Sequence, residues 1–335
     1  MTTKPNIPTK IAALLIFISI TALLVASCEK DTPSKRPLTP VTVQFGWIPD
    51  GHHAGFYVAL EKGFYKARGL DITFLPGGLD SNPIKAVLSK SADIGQAGGV
   101  EQVISARAQG LPIVAFAVIH RDTPHALISL DRKPIRDAKG LLGKRIAIAY
   151  GDAAELLFKA YLGKAQIDPT AITLEPFRFD LMPLINGQVD AVTGFMTDQP
   201  VTLKEKGLKP VVLSYASQGV HSYGYTFFTT EEYRANNQEL VKAFYAASRE
   251  GYEYAFAHPD EAIAITKKAL KATFNNATEL AKLELVSTLM LDTNGKLADW
   301  SLDAERVKEV AGYLKDQGQL KDMPKPESIF KNISK

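Results

Sequence analysis

Residues 43–66, VQFGWIPDGHHAGFYVALEKGFYK, decide how this chain is read. The stretch opens as a strand: Val41, Val43 and Phe45 alternate with Thr42 and Gln44, and period-two alternation marks a half-buried strand. Ile48-Pro49-Asp50-Gly51 breaks it, because proline fixes its own φ and pushes the residue before it toward extended geometry. Apolar residues then return at helical spacing through Phe56, Val58, Ala59, Leu60, Phe64 and Tyr65. The junction gathers Trp47, Asp50, His52, His53, Phe56 and Tyr57 into one short span. In an open α/β sheet, ligands settle where the carboxyl end of a strand meets a helix N-terminus. A binding site is expected there.

Outward from this stretch the same alternation continues. Strands are predicted over 41–47, 70–75, 92–96 and 113–119, with helices over 54–67, 82–89 and 100–109. The pattern restarts after His120-Arg121-Asp122-Thr123-Pro124. Strands are then predicted over 126–130, 145–150, 172–177, 189–194 and 210–215, with helices over 135–139, 153–164, 180–185 and 198–205. Repeated βα units predict an α/β fold with mostly parallel sheets covered on both faces. After a strand at 225–230 the chain reads as helices over 231–257, 260–270, 277–289 and 303–314, expected to return to the first lobe. Residues 87–96, VLSKSADIGQ, can be laid over 184–193, LINGQVDAVT, a faint repeat that two similar α/β lobes would explain.

A chain of 335 residues, 46% hydrophobic and 22% charged, can bury about two domains' worth of core. The net charge of +3 is small, and Lys4 and Lys10 contribute two of those positive charges. Nothing in it suggests a nucleic-acid partner. Those two lysines precede the apolar run 11–26, which ends Leu24-Val25-Ala26-Ser27-Cys28. A basic start, a short apolar run and small residues before a cleavage point describe a secretory signal, and the run is shorter than the roughly 20 residues needed to span a bilayer. The ending resembles a bacterial lipobox, which makes Cys28 the lipid-bearing first residue of the mature protein. Cys28 is the single cysteine, so an exported chain could form no internal disulfide, and lipidation accounts for it. Residues 29–40, EKDTPSKRPLTP, then read as an extended tether. The expected organisation is a signal peptide at 1–27, a lipidated tether at 28–40, one lobe from 41–120 and 225–335, and a second from 121–224.

Candidate ligand-binding residues follow from strand ends and helix starts. Trp47, Asp50, His53 and Tyr57 stand at the first junction, with aromatic rings suited to a flat ligand. Gly99 and Glu101 begin a helix after the third strand. In the second lobe Tyr150, Asp152 and Glu155 close a strand as a helix begins, and Phe195 and Asp198 follow another strand. Tyr223, with Tyr225, lies where the chain would return to the first lobe. His120, Asp122 and His125 match no standard zinc spacing and read as a hinge loop; no metal and no cofactor is expected. No GxxxxGK[ST], GxSxG or HExxH occurs, which leaves phosphate-cradle, hydrolase-elbow and zincin chemistry without support.

Several phrases carry a resemblance. Trp47-Ile48-Pro49-Asp50, Gly55-Phe56-Tyr57-Val58-Ala59, Glu61-Lys62-Gly63-Phe64-Tyr65, Gly69-Leu70-Asp71-Ile72, Gly110-Leu111-Pro112-Ile113-Val114 and Gly187-Gln188-Val189-Asp190-Ala191 resemble the extracytoplasmic substrate-binding proteins of ABC importers. The group they most resemble binds pyrimidine precursors of thiamine, within a superfamily that also serves nitrate, sulfonates, taurine and riboflavin. The resemblance implies a periplasmic-binding-protein-like fold of type II: two α/β lobes, a ligand cleft, and hinge crossovers near 119–125 and 220–226. It implies a monomeric, membrane-anchored, extracytoplasmic receptor that hands a small solute to a permease and its ATPase, not an enzyme. Fungal relatives that synthesise the pyrimidine use a cysteine-rich iron motif, which a chain with Cys28 alone cannot supply. Carboxylates at Asp50, Glu101, Asp152 and Glu155 favour a ligand with amino or ring N–H donors over nitrate, taurine or another sulfonate; riboflavin remains an alternative.

Overall fold

A computed structural model describes residues 1, 37–78 and 81–333. Cys28, the apolar run before it and most of the proposed tether lie outside the described residues. From Leu38 onward the chain forms one compact unit.

That unit is built on two five-stranded sheets. The first takes β1 (Thr39–Gln44), β2 (Leu70–Leu75), β3 (Ile94–Ala97) and β4 (Ile113–Val118). Between them run α1 (Ala54–Glu61), α2 (Pro83–Leu88) and α3 (Val100–Ala108). The second sheet takes β5 (His125–Leu130), β6 (Arg145–Ile148), β7 (Thr173–Pro176), β8 (Ala191–Phe195) and β9 (Pro210–Ser214), with α4 (Ala153–Lys164) and α5 (Gln199–Glu205) among them. β10 (Thr226–Thr230) then rejoins the first sheet. The orders are β2-β1-β3-β10-β4 and β7-β6-β8-β5-β9.

The mostly parallel expectation needs one correction in each sheet. β10 runs antiparallel to β3 and β4, and β5 runs antiparallel to β8 and β9. Each is the first strand after the chain changes sheets. Residues 119–124 and 215–225 carry the chain from one sheet to the other. These two connections are bonded to each other, Ile119 N–H donating to Tyr225 O at 2.9 Å and Gly224 N–H to His120 O at 3.3 Å. A Cβ on Gly224 would stand 2.6 Å from His120 Nδ1, so glycine is what lets the two cross this closely.

The faint repeat has a structural counterpart. Asp93 and Asp190, superposed in the sequence overlay, each bracket one strand residue: Asp93 Oδ2 accepts from Thr42 N–H at 2.8 Å and Asp190 Oδ2 from Arg145 N–H at 2.9 Å. Their own amides donate back to Thr42 O and Arg145 O. Three residues earlier, Lys90 and Gly187 both adopt left-handed backbone, φ +61° and +71°. The same turn thus anchors the corresponding interior strand of each sheet, β1 in the first and β6 in the second.

The remaining chain is helical: α6 (Gln238–Ala257), α7 (Pro259–Leu270), α8 (Asn276–Met290) and α9 (Ala304–Asp316). The helix predicted over 231–257 is interrupted at Asn237, and the segment predicted as helix over 135–139 gives only a single 3-10 turn at Lys139–Leu141. There Ile135 N–H donates to Ser129 Oγ and Gly140 N–H to Asp137 Oδ1, side chains that replace helical partners. α6 packs on α1, but α8 also touches α5, and α9 touches both α3 and α4. The C-terminal helices therefore meet elements of both sheets.

Candidate functional site

The carboxyl ends of both sheets face one cleft of about 700 Å³, within the range of ordinary small-molecule sites. From the first sheet come Gly46 and Trp47 after β1, Gln96 and Gly98 around the end of β3, and Gln102 on α3. From the second come Tyr150 and Asp152 after β6, Phe177 and Phe179 after β7, and Thr193 and Phe195 on β8.

Aromatic rings form its walls. Trp47 meets Phe179 from the opposite sheet with centroids 4.2 Å apart and a tilt of 52°; Phe179 in turn lies 5.1 Å from Phe177. Phe179 holds a left-handed φ of +59°, a conformation uncommon for a bulky residue. Deeper in, Phe195 sits edge-on to His125 at 4.6 Å and 5.5 Å from Tyr225. Tyr150 stands at the mouth, 54% exposed.

Asp152 caps α4, its Oδ1 accepting from Ala153 N–H at 2.6 Å and from Gln102 Nε2 at 3.5 Å. Its Oδ2 has no partner among the described residues. Burial raises its pKa. Glu155 lines the cleft but is already engaged: Lys159 reaches Oε1 at 2.6 Å and Gly151 N–H donates to Oε2 at 2.7 Å. Asp198 is engaged too, by Lys282 at 2.9 Å and Gln199 Nε2 at 2.8 Å.

Of the twelve expected ligand contacts, Trp47, Tyr150, Asp152, Glu155, Phe195 and Asp198 line the cleft. The other six are placed elsewhere, each for an identifiable reason. Tyr57 points into the core against Phe45 and Phe74, because α1 turns that face inward. Asp50 caps the 3-10 turn Gly51–His53, accepts from His52 and Lys282, and donates its own amide to His53 Nδ1. His53 bridges Asp50 and Gln96 beneath the surface. Gly99 is the extended N-cap of α3. Glu101 is fully buried, accepting from Ser222 Oγ at 2.7 Å, and burial pushes its pKa up to about 8. The Tyr223 hydroxyl accepts from Asp303 N–H at 3.0 Å, and Arg121 lies over its ring.

His52, two residues from Asp50, does reach the cleft. Its Nδ1–H donates to Asp50 Oδ1 at 3.0 Å, and its Nε2 lies 2.9 Å from Thr197 Oγ1 of the second sheet's edge of the cleft. Burial opposes charge on the ring, but Asp50 prevails and raises its pKa above the ordinary 6.5. Burial likewise opposes the Asp50 carboxylate, yet His52, His53 and Lys282 hold it well below the usual range. His120 and His125 are buried with neither ring nitrogen partnered among the described residues, and burial lowers both, His125 to about 3. Phe177, Phe179, Gln96 and Thr193 were not singled out by the sequence; all four stand at or near strand ends, so the strand-end rule applied to every strand would have found them.

The architecture defines the class. The chain has the periplasmic-binding-protein fold: a Candida albicans gene product described as having that generic fold superposes with a TM-score of 0.65 at 20% identity, covering 88% of this chain and 96% of that one. Residues 50–262 match the family model described as NMT1/THI5 like, and the chain belongs to that family. A formylaminopyrimidine-binding protein of Halalkalibacterium halodurans is 26% identical over 332 residues, 97% of this chain and 98% of that protein. A 4-amino-5-hydroxymethyl-2-methylpyrimidine phosphate synthase of Legionella pneumophila is 26% identical over 226 residues, 66% of this chain and 71% of its own length.

Proposed function

We propose that this protein is the solute-binding component of an ABC importer, and that it captures a small, flat, aminopyrimidine-like heterocycle. The observation that carries the reading is Asp152: a desolvated carboxylate with one oxygen unpartnered, set between aromatic walls. A ring amino group donating to that oxygen would make a charge-assisted hydrogen bond, while Trp47, Phe179 and Phe195 cover the ring faces. Lys159 is the cationic side chain lining the cleft among the described residues, and Glu155 holds it. Nitrate or a sulfonate would therefore meet an open carboxylate and no free cation. The relative named as a formylaminopyrimidine-binding protein matches along nearly the whole chain, which supports the same ligand class.

Binding rather than synthesis is favoured by the N-terminal sequence, whose basic start, apolar run and Leu24-Val25-Ala26-Ser27-Cys28 ending suit an exported, lipid-anchored protein. No helix among the described residues is long and apolar enough to cross a membrane. Anchoring would then rest on lipid at Cys28, with the folded body outside the cytoplasm, monomeric, presenting ligand to a permease. Isothermal calorimetry with 4-amino-2-methylpyrimidines, taurine and nitrate tests the reading. Binding of the aminopyrimidines alone is expected; binding of the oxyanions alone would overturn it.

A further inference from the structure

The parallel strands of both sheets aim their carboxyl ends into the cleft, so the opposite ends form the base of each lobe. The two bases carry charge differently. At the base of the first lobe Lys62 pairs with Glu261 at 2.6 Å, Arg68 with Glu250 at 2.7 Å, Lys90 with Glu232 at 3.2 Å and Arg107 with Glu231 at 3.2 Å. The base of the second lobe is built from residues 131–145, 168–172, 186–190 and 206–210, which connect its strands. These segments hold eight lysines and arginines against four aspartates, in a chain whose net charge is only +3. Three of the eight are held: Arg132 donates to Leu184 O and Ile185 O, while Lys133 and Arg145 lie 3.4 and 3.8 Å from Asp190. The side chains of Arg136, Lys139, Lys144, Lys206 and Lys209 make no hydrogen bond or ion pair among the described residues. All but the half-buried Lys144 are exposed. Asp131 N–H donates to Lys209 O at 3.0 Å, which sets the first and last of these segments side by side. Between Lys139 and Lys144, Leu142 is 51% exposed, on a loop pinned by Gly143 N–H donating to Ala171 O at 2.8 Å.

We infer that the base of the second lobe is a docking face for a membrane surface rich in anionic phospholipid. Unpaired cations spread over adjoining segments match a broad anionic sheet; a compact ion needs donors that converge on one point. Clustered lysines and arginines are drawn to such a surface within the reach of ionic screening. Leu142, standing among them, can enter the interface as an apolar contact. The inference rests on the lipid-anchored reading above in one respect: an anchor at Cys28 keeps the body beside the lipid, where a weak second contact is enough to orient it. With this face on the membrane the cleft, at the other end of the strands, stays uncovered.

The test places the full-length lipoprotein on vesicles of phosphatidylcholine and on vesicles of phosphatidylcholine mixed equally with phosphatidylglycerol. Vesicle flotation reads attachment, and mass spectrometry after brief acylation of amines reads which lysines are covered. Lys139, Lys144 and Lys209 should react at least about threefold more slowly on the anionic vesicles, with the difference lost in molar salt, where charges are screened within about 3 Å. Lys308, exposed on α9, should react alike on both. In Lys139→Gln/Lys144→Gln/Lys209→Gln, which changes only surface side chains, the protection of Lys206 should largely disappear. Flotation with both vesicles but equal acylation on each would overturn the docking face and leave the anchor intact. Protection that extends to Lys308, or that survives in the triple variant, would also overturn the face. Flotation with the anionic vesicles alone, reversed by salt, would uphold the face and refute the anchor; flotation with neither would overturn both.

Discussion

Lys282 Nζ lies 2.9 Å from Asp198 Oδ1, joining the C-terminal helix α8 to the start of α5 beside the second sheet. The same ammonium is 3.1 Å from Asp50 and 3.1 Å from Glu279, so one nearly buried cation serves three carboxylates drawn from both sides of the cleft. With His52 reaching Thr197 alongside, this cluster is a strut across the lobes at one edge of the binding site.

Removing the cation should be expensive, because it leaves the three carboxylates together and poorly solvated. Lys282→Met is expected to destabilise the protein by roughly 3–5 kcal/mol near neutral pH, read by urea denaturation. The deficit should shrink as the medium is acidified and the carboxylates take up protons. A loss that does not vary with pH would mean the side chain matters only for packing.

His52 gives a second pH signature. A ring whose pKa is raised by folding adds stability that is complete below its ordinary 6.5 and fades as pH rises through the folded value. Wild type should therefore lose stability relative to His52→Gln as pH climbs above that ordinary value. Parallel stability–pH curves for the two proteins would refute the raised pKa.

Glu101 behaves similarly for a different reason. Its folded carboxyl is raised from 4.5 to about 8 by burial, so the neutral form is favoured and stability is lost as pH rises through that interval. Glu101→Gln keeps an acceptor for Ser222 and cannot ionise. It should gain on wild type steadily between those two pH values in thermal melts, by a few degrees at the upper end if the difference is about 1 kcal/mol or more. No relative gain would show that Glu101 stays ionised in place.

For the anchor, Cys28→Ala expressed from the full-length gene should move the protein from the membrane to the soluble fraction, since acyl chains contribute about 0.8 kcal/mol per buried CH₂. Unchanged membrane association would remove the lipobox reading.

The alternation of strand and helix was legible because hydrophobic period reports local structure, and the Asp93 and Asp190 turns were legible because each occupies a short contiguous phrase. The reversal of β5 and β10 was not, since strand direction depends on how the chain crosses between sheets. At the site, Trp47 and Asp152 could be read from strand-end position. Tyr57, Asp50 and Glu101 stand in equally suggestive places yet are drawn inward, and what draws them is remote in sequence: Phe74 for Tyr57, Lys282 for Asp50, Ser222 for Glu101. No local pattern announces a partner 232 residues away.

The account turns on Asp152 as the group that holds the ligand's amino donor, and one titration addresses it. Calorimetry of wild type and Asp152→Asn with the aminopyrimidines should show a loss of about 10- to 150-fold, the worth of a hydrogen bond to a charged group. Asparagine can still cap α4, so the fold should be unaffected by the change. Undiminished affinity in Asp152→Asn would contradict the account.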